Sequence, residues 1–179
     1  LYNKKMIPEA LAKAQILIKK LKNNEKLLVT MGCLLKEVNK VDNAKDYFNK
    51  ALKLYPDSKE ALLNMGACLA DEGKIDKAIK YYKQIINIDP NSFEAHGNLG
   101  ISYTSLGNYE KAIIFFKNAI NINPNNADLF ANMGYTYHQM NIIPEAQRCF
   151  HSSMEIDPNC MPALINNGVL SIKIGDYKN

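Results

Sequence analysis

Apolar and polar residues follow one another along the chain with the spacing of amphipathic helices. Between residues 93 and 106, and again between residues 109 and 122, apolar residues recur every three or four positions, and Leu106-Gly107-Asn108 separates the two segments. This pattern predicts two helices joined by a short turn. Segments of the same kind extend from residue 6 to residue 174, so the sequence predicts an all-α protein.

The helical pattern repeats every 34 residues. Five glycines, five alanines and four prolines recur at this interval; they are Gly32, Gly66, Gly100, Gly134 and Gly168, Ala10, Ala44, Ala78, Ala112 and Ala146, and Pro56, Pro90, Pro124 and Pro158. A period in this range is typical of a solenoid, in which each helix pair buries its apolar face against its neighbours. A solenoid offers an extended surface to a partner instead of an enclosed pocket for catalysis.

Small and large residues hold complementary places in the repeat. If Glu25, Lys59, Phe93, Ala127 and Met161 are numbered position 1, then glycine falls at position 8, alanine at position 20 and an aromatic residue at position 24. Glycine inside a helix costs about 0.5–1 kcal/mol relative to alanine. We therefore expect the glycine to let two helices approach closely, with the aromatic ring of position 24 packed beside it.

Turn and capping residues mark the predicted helix ends. Position 15 is always glycine or asparagine, the residues that tolerate the left-handed turn ending a helix; the set is Asn39, Gly73, Gly107, Asn141 and Gly175. Asp57-Ser58-Lys59-Glu60 and Asn91-Ser92-Phe93-Glu94 look like capping boxes at helix starts. The first and last predicted helices cover residues 6–20 and 161–174, with a turn beginning at Gly175.

These landmarks resemble the tetratricopeptide repeat, and the segment from Phe93 to Pro124 shows them most fully, with Leu99-Gly100, Tyr103 and Phe116 in place. The resemblance covers essentially the whole chain and implies an all-α fold, a right-handed α-solenoid of antiparallel helix pairs. It divides residues 1–179 into a single array: 1–24 is the second helix of a partial repeat, 25–58, 59–92, 93–126 and 127–160 are repeats, and 161–179 is the first helix of a further repeat or a capping helix.

The resemblance also implies that the first helix of each pair lines a concave groove, with position 6 turned inward. Four successive repeats carry asparagine there, namely Asn64, Asn98, Asn132 and Asn166. An amide side chain both donates and accepts, so the row can hold the backbone of an extended peptide whatever its sequence. A similar row occurs in the repeat arm of O-linked N-acetylglucosamine transferases. The alternative is that duplication preserved the row without a ligand, since the chain has 22 asparagines.

Acidic residues also fall on the predicted groove. Glu60, Glu94 and Asp128 occupy position 2, and Asp71 occupies position 13. They predict a mildly acidic groove that prefers a peptide with a basic residue, where Tyr135 and His138 add stacking or hydrogen bonding. The alternative for position 2 is that acids near a helix N-terminus interact favourably with the helix dipole, by about 0.3–1 kcal/mol each.

Charge, cysteine content and hydropathy narrow the class of partner. The net charge is +4, but seven lysines within residues 1–26 supply the excess, and the remaining 15 basic and 16 acidic residues nearly balance. We therefore expect no nucleic-acid partner, and no apolar run is long enough to predict membrane insertion. Cysteines 33, 68, 149 and 160 form no CxxC pair, which indicates reduced thiols and a cytoplasmic, intracellular location.

No arrangement of residues predicts catalysis, a cofactor or a metal site. The sequence therefore predicts a non-catalytic scaffold, not an enzyme, that binds a protein or peptide ligand in extended conformation in its concave groove. An alternative is the substrate-recognition arm of a larger enzyme, similar to a protein O-glycosyltransferase, whose catalytic domain lies outside this chain. Apolar faces at solenoid ends also allow self-association.

Overall fold

The fold consists of helices throughout the part of the chain that the structure describes. A computed structural model describes residues 6–21 and 23–176, with side chains up to residue 171. Within that part there are ten helices and no strand, which confirms the predicted all-α class. The helices are α1 (Ile7–Lys20), α2 (Glu25–Glu37), α3 (Val41–Leu54), α4 (Lys59–Asp71), α5 (Ile75–Ile88), α6 (Phe93–Ser105), α7 (Tyr109–Ile122), α8 (Ala127–Gln139), α9 (Ile143–Ile156) and α10 (Met161–Asp176).

Consecutive helices pack as pairs, α2 with α3, α4 with α5, α6 with α7 and α8 with α9. We call the first member of each pair, together with α10, a first helix. In each pair the position-8 glycine of the first helix lies against the buried aromatic ring of position 24. A Cβ atom added at Gly100 would lie 2.6 Å from Cε1 of Phe116, and one added at Gly66 would lie 2.5 Å from Cε1 of Tyr82. The predicted packing of large against small residues is confirmed.

The helix ends follow the predicted left-handed turns except at Gly175, and the predicted capping boxes are displaced by one residue. Gly107 has a φ of 72° and Asn141 a φ of 59°, the left-handed conformation expected at position 15. The side chains of Ser58 and Ser92 each accept a hydrogen bond from the backbone N–H three residues later, at 3.3 Å, so the cap of each helix is the serine and not the first residue of the predicted capping box. The predicted turn at Gly175 is wrong, because α10 continues through it to Asp176.

Two compact units divide the chain between Ile88 and Asp89. The core of the first unit includes Leu28, Met31, Phe48 and Met65. The second unit has two clusters of buried side chains, one around Phe116, Leu129 and Met133 and another around Phe150, Cys160 and Leu170. In the second unit, α6 contacts α8 and α8 contacts α10, so its three first helices lie side by side.

Helix α10, which is the first helix of the last repeat, has an open face near its middle. A Cβ atom added at Gly168 would meet no other atom of the described residues within 4 Å. Asn167 occupies a position that is buried in the other repeats, and it is partly buried here; Ser171 occupies a position that is buried or partly buried in the other repeats, and it is exposed here. None of the helices in the described part of the chain is long and apolar enough to cross a bilayer.

Candidate functional site

Three of the position-6 asparagines are held by a hydrogen bond to their own helix. The Nδ2 atom of Asn64 donates to the Glu60 carbonyl oxygen at 2.8 Å, that of Asn98 to the Glu94 carbonyl at 2.9 Å, and that of Asn166 to the Pro162 carbonyl at 2.8 Å. An amide group has a second N–H and a carbonyl oxygen that also accepts. The bond to the helix therefore orients each amide and uses only one of its two N–H donors.

Contacts between neighbouring first helices of the second unit share one register. Thr104 and Thr136 approach at 2.8 Å between their hydroxyl oxygens, and their numbers differ by 32. At another height of the same two helices, a Cβ atom added at Gly97 would lie 2.8 Å from Cδ2 of Leu129, which is also 32 residues away. Because both contacts have the same offset, α6 and α8 run in the same direction.

The same register joins α8 to the segment just before α10. The Cys160 thiol donates to Oδ1 of Asp128 at 3.7 Å, again across 32 residues. Since the repeat is 34 residues long, an equivalent residue in the next first helix lies two residues further along, which is about 3 Å of axial rise. Asn98, Asn132 and Asn166 thus form a slanted row across α6, α8 and α10.

A row of exposed apolar side chains lies beside these asparagines. Ile101, Tyr135 and Val169 follow Asn98, Asn132 and Asn166 by three residues, a spacing that places both rows on the same helix face. Their exposed fractions are 43%, 40% and 44%. We call these six residues the amide–apolar surface. Sequence reasoning found only Tyr135 of the apolar row, although comparing position 9 across the repeats would also have revealed Ile101 and Val169.

The position-2 carboxylates are exposed at the starts of α4, α6 and α8. The hydroxyl of Ser92 lies 3.3 Å from Oε2 of Glu94, and Asp128 accepts the hydrogen bond from Cys160. Ser92 caps α6, so the Glu94 contact supports the interpretation that position 2 serves the helix N-terminus, whereas the Asp128 contact links α8 to the residue before α10. A role for Glu60, Glu94 and Asp128 in binding a basic peptide stays a prediction.

The charge of Asp71 is matched within the first unit. Its carboxylate lies 3.1 Å from Nζ of Lys36 on α2, so its negative charge does not stand alone on the surface. The neighbouring Glu72 forms ion pairs with Lys45 and Lys74. Hydrogen bonds from Lys45 and then Lys74 lower the pKa of Glu72 to about 2. Of the acidic residues predicted for the groove, Asp71 is therefore paired with a lysine, whereas those at position 2 are exposed at helix starts.

The two histidines of the first helices differ in their surroundings. His96 is buried, its ring centre lies 5.9 Å from that of Phe115, and its Nε2 atom donates to the Pro90 carbonyl at 2.9 Å. It packs between α6 and α7. His138 is partly buried in the last turn of α8, while Tyr135, one turn earlier, is exposed. Tyr135 is therefore the more accessible of the two side chains predicted to add ligand contacts.

Burial shifts the pKa of several thiol and phenol groups outside the amide–apolar surface. Burial raises the pKa of the Cys149 thiol to about 11 and that of Tyr82 to about 12. Within residues 6–21 and 23–176, no group of three His, Cys, Asp or Glu side chains is placed to hold a metal ion. The chemistry that the amide–apolar surface presents consists of hydrogen bonds and apolar contact.

Two family models match the chain. The model described as tetratricopeptide repeat matches residues 35–99 and 69–117, and the model described as TPR repeat matches residues 100–141. Among curated proteins, nothing matches.

Solved structures with the same helical repeat resemble this chain. The MamA RS-1 ArsTM double mutant is 23% identical with a TM-score of 0.75, over 87% of each chain. MamA 41-end from Desulfovibrio magneticus RS-1 is 23% identical with a TM-score of 0.74, over 87% of this chain and 88% of that one. YrrB, a TPR protein with an unusual peptide-binding site, is 22% identical with a TM-score of 0.72, over 92% of this chain and 84% of its own. These likenesses confirm the predicted class, a helical-repeat solenoid.

Proposed function

The chain belongs to the tetratricopeptide-repeat family, and we propose that it is a non-catalytic scaffold that binds an extended segment of a partner protein on its first helices. The observation that supports this proposal most directly is the amide row. Asn98 and Asn166 are each oriented by a bond to their own helix, and each still offers a donor and an acceptor. An extended peptide has an N–H and a C=O at each residue that need such partners.

Prior orientation favours binding because it lowers the entropy cost of ordering a side chain, about 0.5–1.5 kcal/mol for each flexible side chain at an interface. The neighbouring apolar row adds the surface burial that hydrogen bonds alone do not supply. The surface on α6, α8 and α10 therefore combines backbone recognition with hydrophobic contact. We place the peptide site there, in the second unit.

The test is a displayed library of peptides about ten residues long, selected against the full chain. We expect the wild type to enrich binders, and the double variant Asn98→Ala/Asn132→Ala to lose most of that enrichment. The melting temperature should stay nearly unchanged, because both amides are partly buried and alanine favours the helix. A matched control is Asn118→Ala/Asn121→Ala, two exposed asparagines on α7. Equal enrichment by the wild type and the Asn98/Asn132 variant would contradict the proposal.

The alternative function is the substrate-recognition arm of a larger enzyme similar to a protein O-glycosyltransferase. The amide row supports it, because such an arm also has to hold protein substrates without reading much of their sequence. A catalytic domain encoded in the same reading frame would distinguish this alternative from a scaffold.

The proposed setting is the cytoplasm. Cys33, Cys68, Cys149 and Cys160 are free thiols, which supports a reducing compartment.

A further inference from the structure

We infer that the amide–apolar surface selects a partner segment in the polyproline II conformation that carries an apolar side chain at every third residue. This inference rests on the proposed function and specifies the ligand of the same surface. It follows from the distance between neighbouring first helices, the pitch of extended peptides, and the side chains that border the two rows.

The first step is the spacing of the rows. The contact of Gly97 with Leu129 and the hydroxyl contact of Thr104 with Thr136 show that α6 and α8 pack directly against each other. The axes of packed helices are about 8–10 Å apart. With an axial shift of about 3 Å, equivalent side chains on neighbouring first helices are about 8.5–10.5 Å apart.

The second step is the pitch of the peptide. A polyproline II helix has three residues per turn and rises about 3.1 Å per residue, so side chains on one side recur about every 9.3 Å. In a β-strand, side chains on one face recur about every 6.6–6.8 Å. The pitch of polyproline II matches the spacing of Ile101, Tyr135 and Val169, whereas the spacing of a β-strand is too short.

The third step is hydrogen bonding. The polyproline II helix makes no internal hydrogen bonds, so its carbonyl groups, and its N–H groups where the residue is not proline, face outward. The amides of Asn98, Asn132 and Asn166 lie one helix turn from the apolar row and recur at the same spacing. Each step along the surface therefore offers one apolar contact and one amide to each turn of the peptide.

The fourth step is charge. Glu94 and Asp128 precede Asn98 and Asn132 by four residues, so their carboxylates border the amide row on α6 and α8. Like charges near this row would repel an acidic ligand. The ligand class is thus an apolar, proline-containing segment that lacks acidic residues.

The experiment compares two fluorescently labelled peptides of identical composition, each with three leucines and the remaining positions proline or serine. The first peptide has leucine at every third residue, and the second has leucine at every second residue. Binding to the full chain is measured by fluorescence polarisation. We expect the first peptide to bind about tenfold more tightly, since the second cannot place all three leucines on the apolar row.

Variants locate the contact. Ile101→Ser and Val169→Ser should each weaken binding of the first peptide about five- to tenfold. Ile114→Ser is the matched control, because Ile114 is 58% exposed but lies on α7, away from the surface, and it should leave affinity unchanged. Circular dichroism of each variant checks that the helices remain folded.

The outcomes separate this inference from the proposed function. Equal affinity for the two peptides, with both weakened by Asn98→Ala/Asn132→Ala, would overturn the spacing and leave the scaffold function standing. If neither peptide binds while the displayed library still yields binders, the polyproline II spacing would likewise be overturned and the scaffold function would stand. Failure of the peptides and the library together would overturn both.

Discussion

The position-8 glycines show how one missing methyl group fixes the distance between two helices. At Gly100 the ring of Phe116 occupies the space that a Cβ atom would need, with ring carbons 2.6–2.8 Å from its place. At Gly168 the same position has no neighbour within 4 Å among the described residues. One sequence landmark therefore serves close packing in one helix pair and leaves an open face in α10.

This difference predicts opposite effects of the same substitution. Gly100→Ala forces a methyl group into the Phe116 ring, which costs about 1–3 kcal/mol of overpacking and outweighs the helix-propensity gain of about 1 kcal/mol. The methyl group of Gly168→Ala meets none of the described residues within 4 Å, so this variant should raise the free energy of unfolding by about 0.5–1 kcal/mol. Urea denaturation followed by circular dichroism measures both. Destabilisation by both variants to the same extent would contradict the packing argument.

At the scale of helices, the lateral contact of α6 with α8 depends on a pair of hydroxyl groups. Thr136 is fully buried, and its hydroxyl contacts Thr104 at 2.8 Å while each threonine also bonds to a backbone carbonyl of its own helix. Two hydroxyl hydrogens cannot fill three hydrogen bonds at once. The two threonines therefore act as a unit that shares its hydrogens across the helix interface.

A double-mutant cycle tests this unit. Thr104→Val and Thr136→Val should each lower the free energy of unfolding by about 0.5–1.5 kcal/mol, because each removes the hydrogen bond between the two hydroxyls. The double variant should cost clearly less than the sum, by about 0.5–1 kcal/mol, since both single variants lose that same bond and the double variant loses it only once. Thr30→Val is the control, because Thr30 bonds to its own helix at an exposed position. Strict additivity of the two threonines would refute the coupling.

The helix pairs and their ends could be predicted from the sequence because they depend on local chemistry. The glycine of position 8 and the aromatic residue of position 24 can be recognised within one repeat. The glycine or asparagine of the left-handed turn can be recognised in the same way. The register of 32 residues between first helices could not be predicted from the sequence, since it depends on how side chains such as Leu129 pack against the neighbouring helix at Gly97. The bond of Asn98 to its own helix and the pairing of Asp71 with Lys36 likewise depend on geometry that spacing along the chain does not carry.

Gly175 shows where a local rule fails. Glycine at position 15 ends α4 and α6, because a left-handed turn follows each of those helices. In α10 the helix continues through the same landmark to Asp176. Glycine at position 15 therefore allows a left-handed turn but does not require one, and the tertiary context decides whether the helix ends there.

At the scale of the whole molecule, stability is distributed between two compact units. Phe48 is fully buried in the core of the first unit and Phe150 in a cluster of the second. In repeat proteins each element is stabilised chiefly by its nearest neighbours. Loss of one ring should therefore act locally before it acts on the whole chain.

Hydrogen exchange measured by mass spectrometry tests this prediction. Phe48→Ala, which removes about 3–5 kcal/mol of packing, should reduce amide protection in α2, α3 and α4 while α8 and α9 keep most of theirs. Phe150→Ala should give the reverse pattern, which makes each variant the control for the other. A uniform loss of protection in both variants would show that the chain unfolds as a single cooperative unit.

Thr30 shows the consequence of changing one functional group at a recurring site. It stands at position 6 on α2, where the later repeats carry asparagine, and its hydroxyl donates to the Lys26 carbonyl at 2.7 Å. A hydroxyl has only one hydrogen, so after this bond Thr30 can still accept a hydrogen bond but cannot donate a second one. A peptide bound against α2 would find at Thr30 a hydrogen-bond acceptor for its N–H but no donor for its carbonyl group. Thr30 and asparagine at the same position therefore select different backbone groups of a bound peptide.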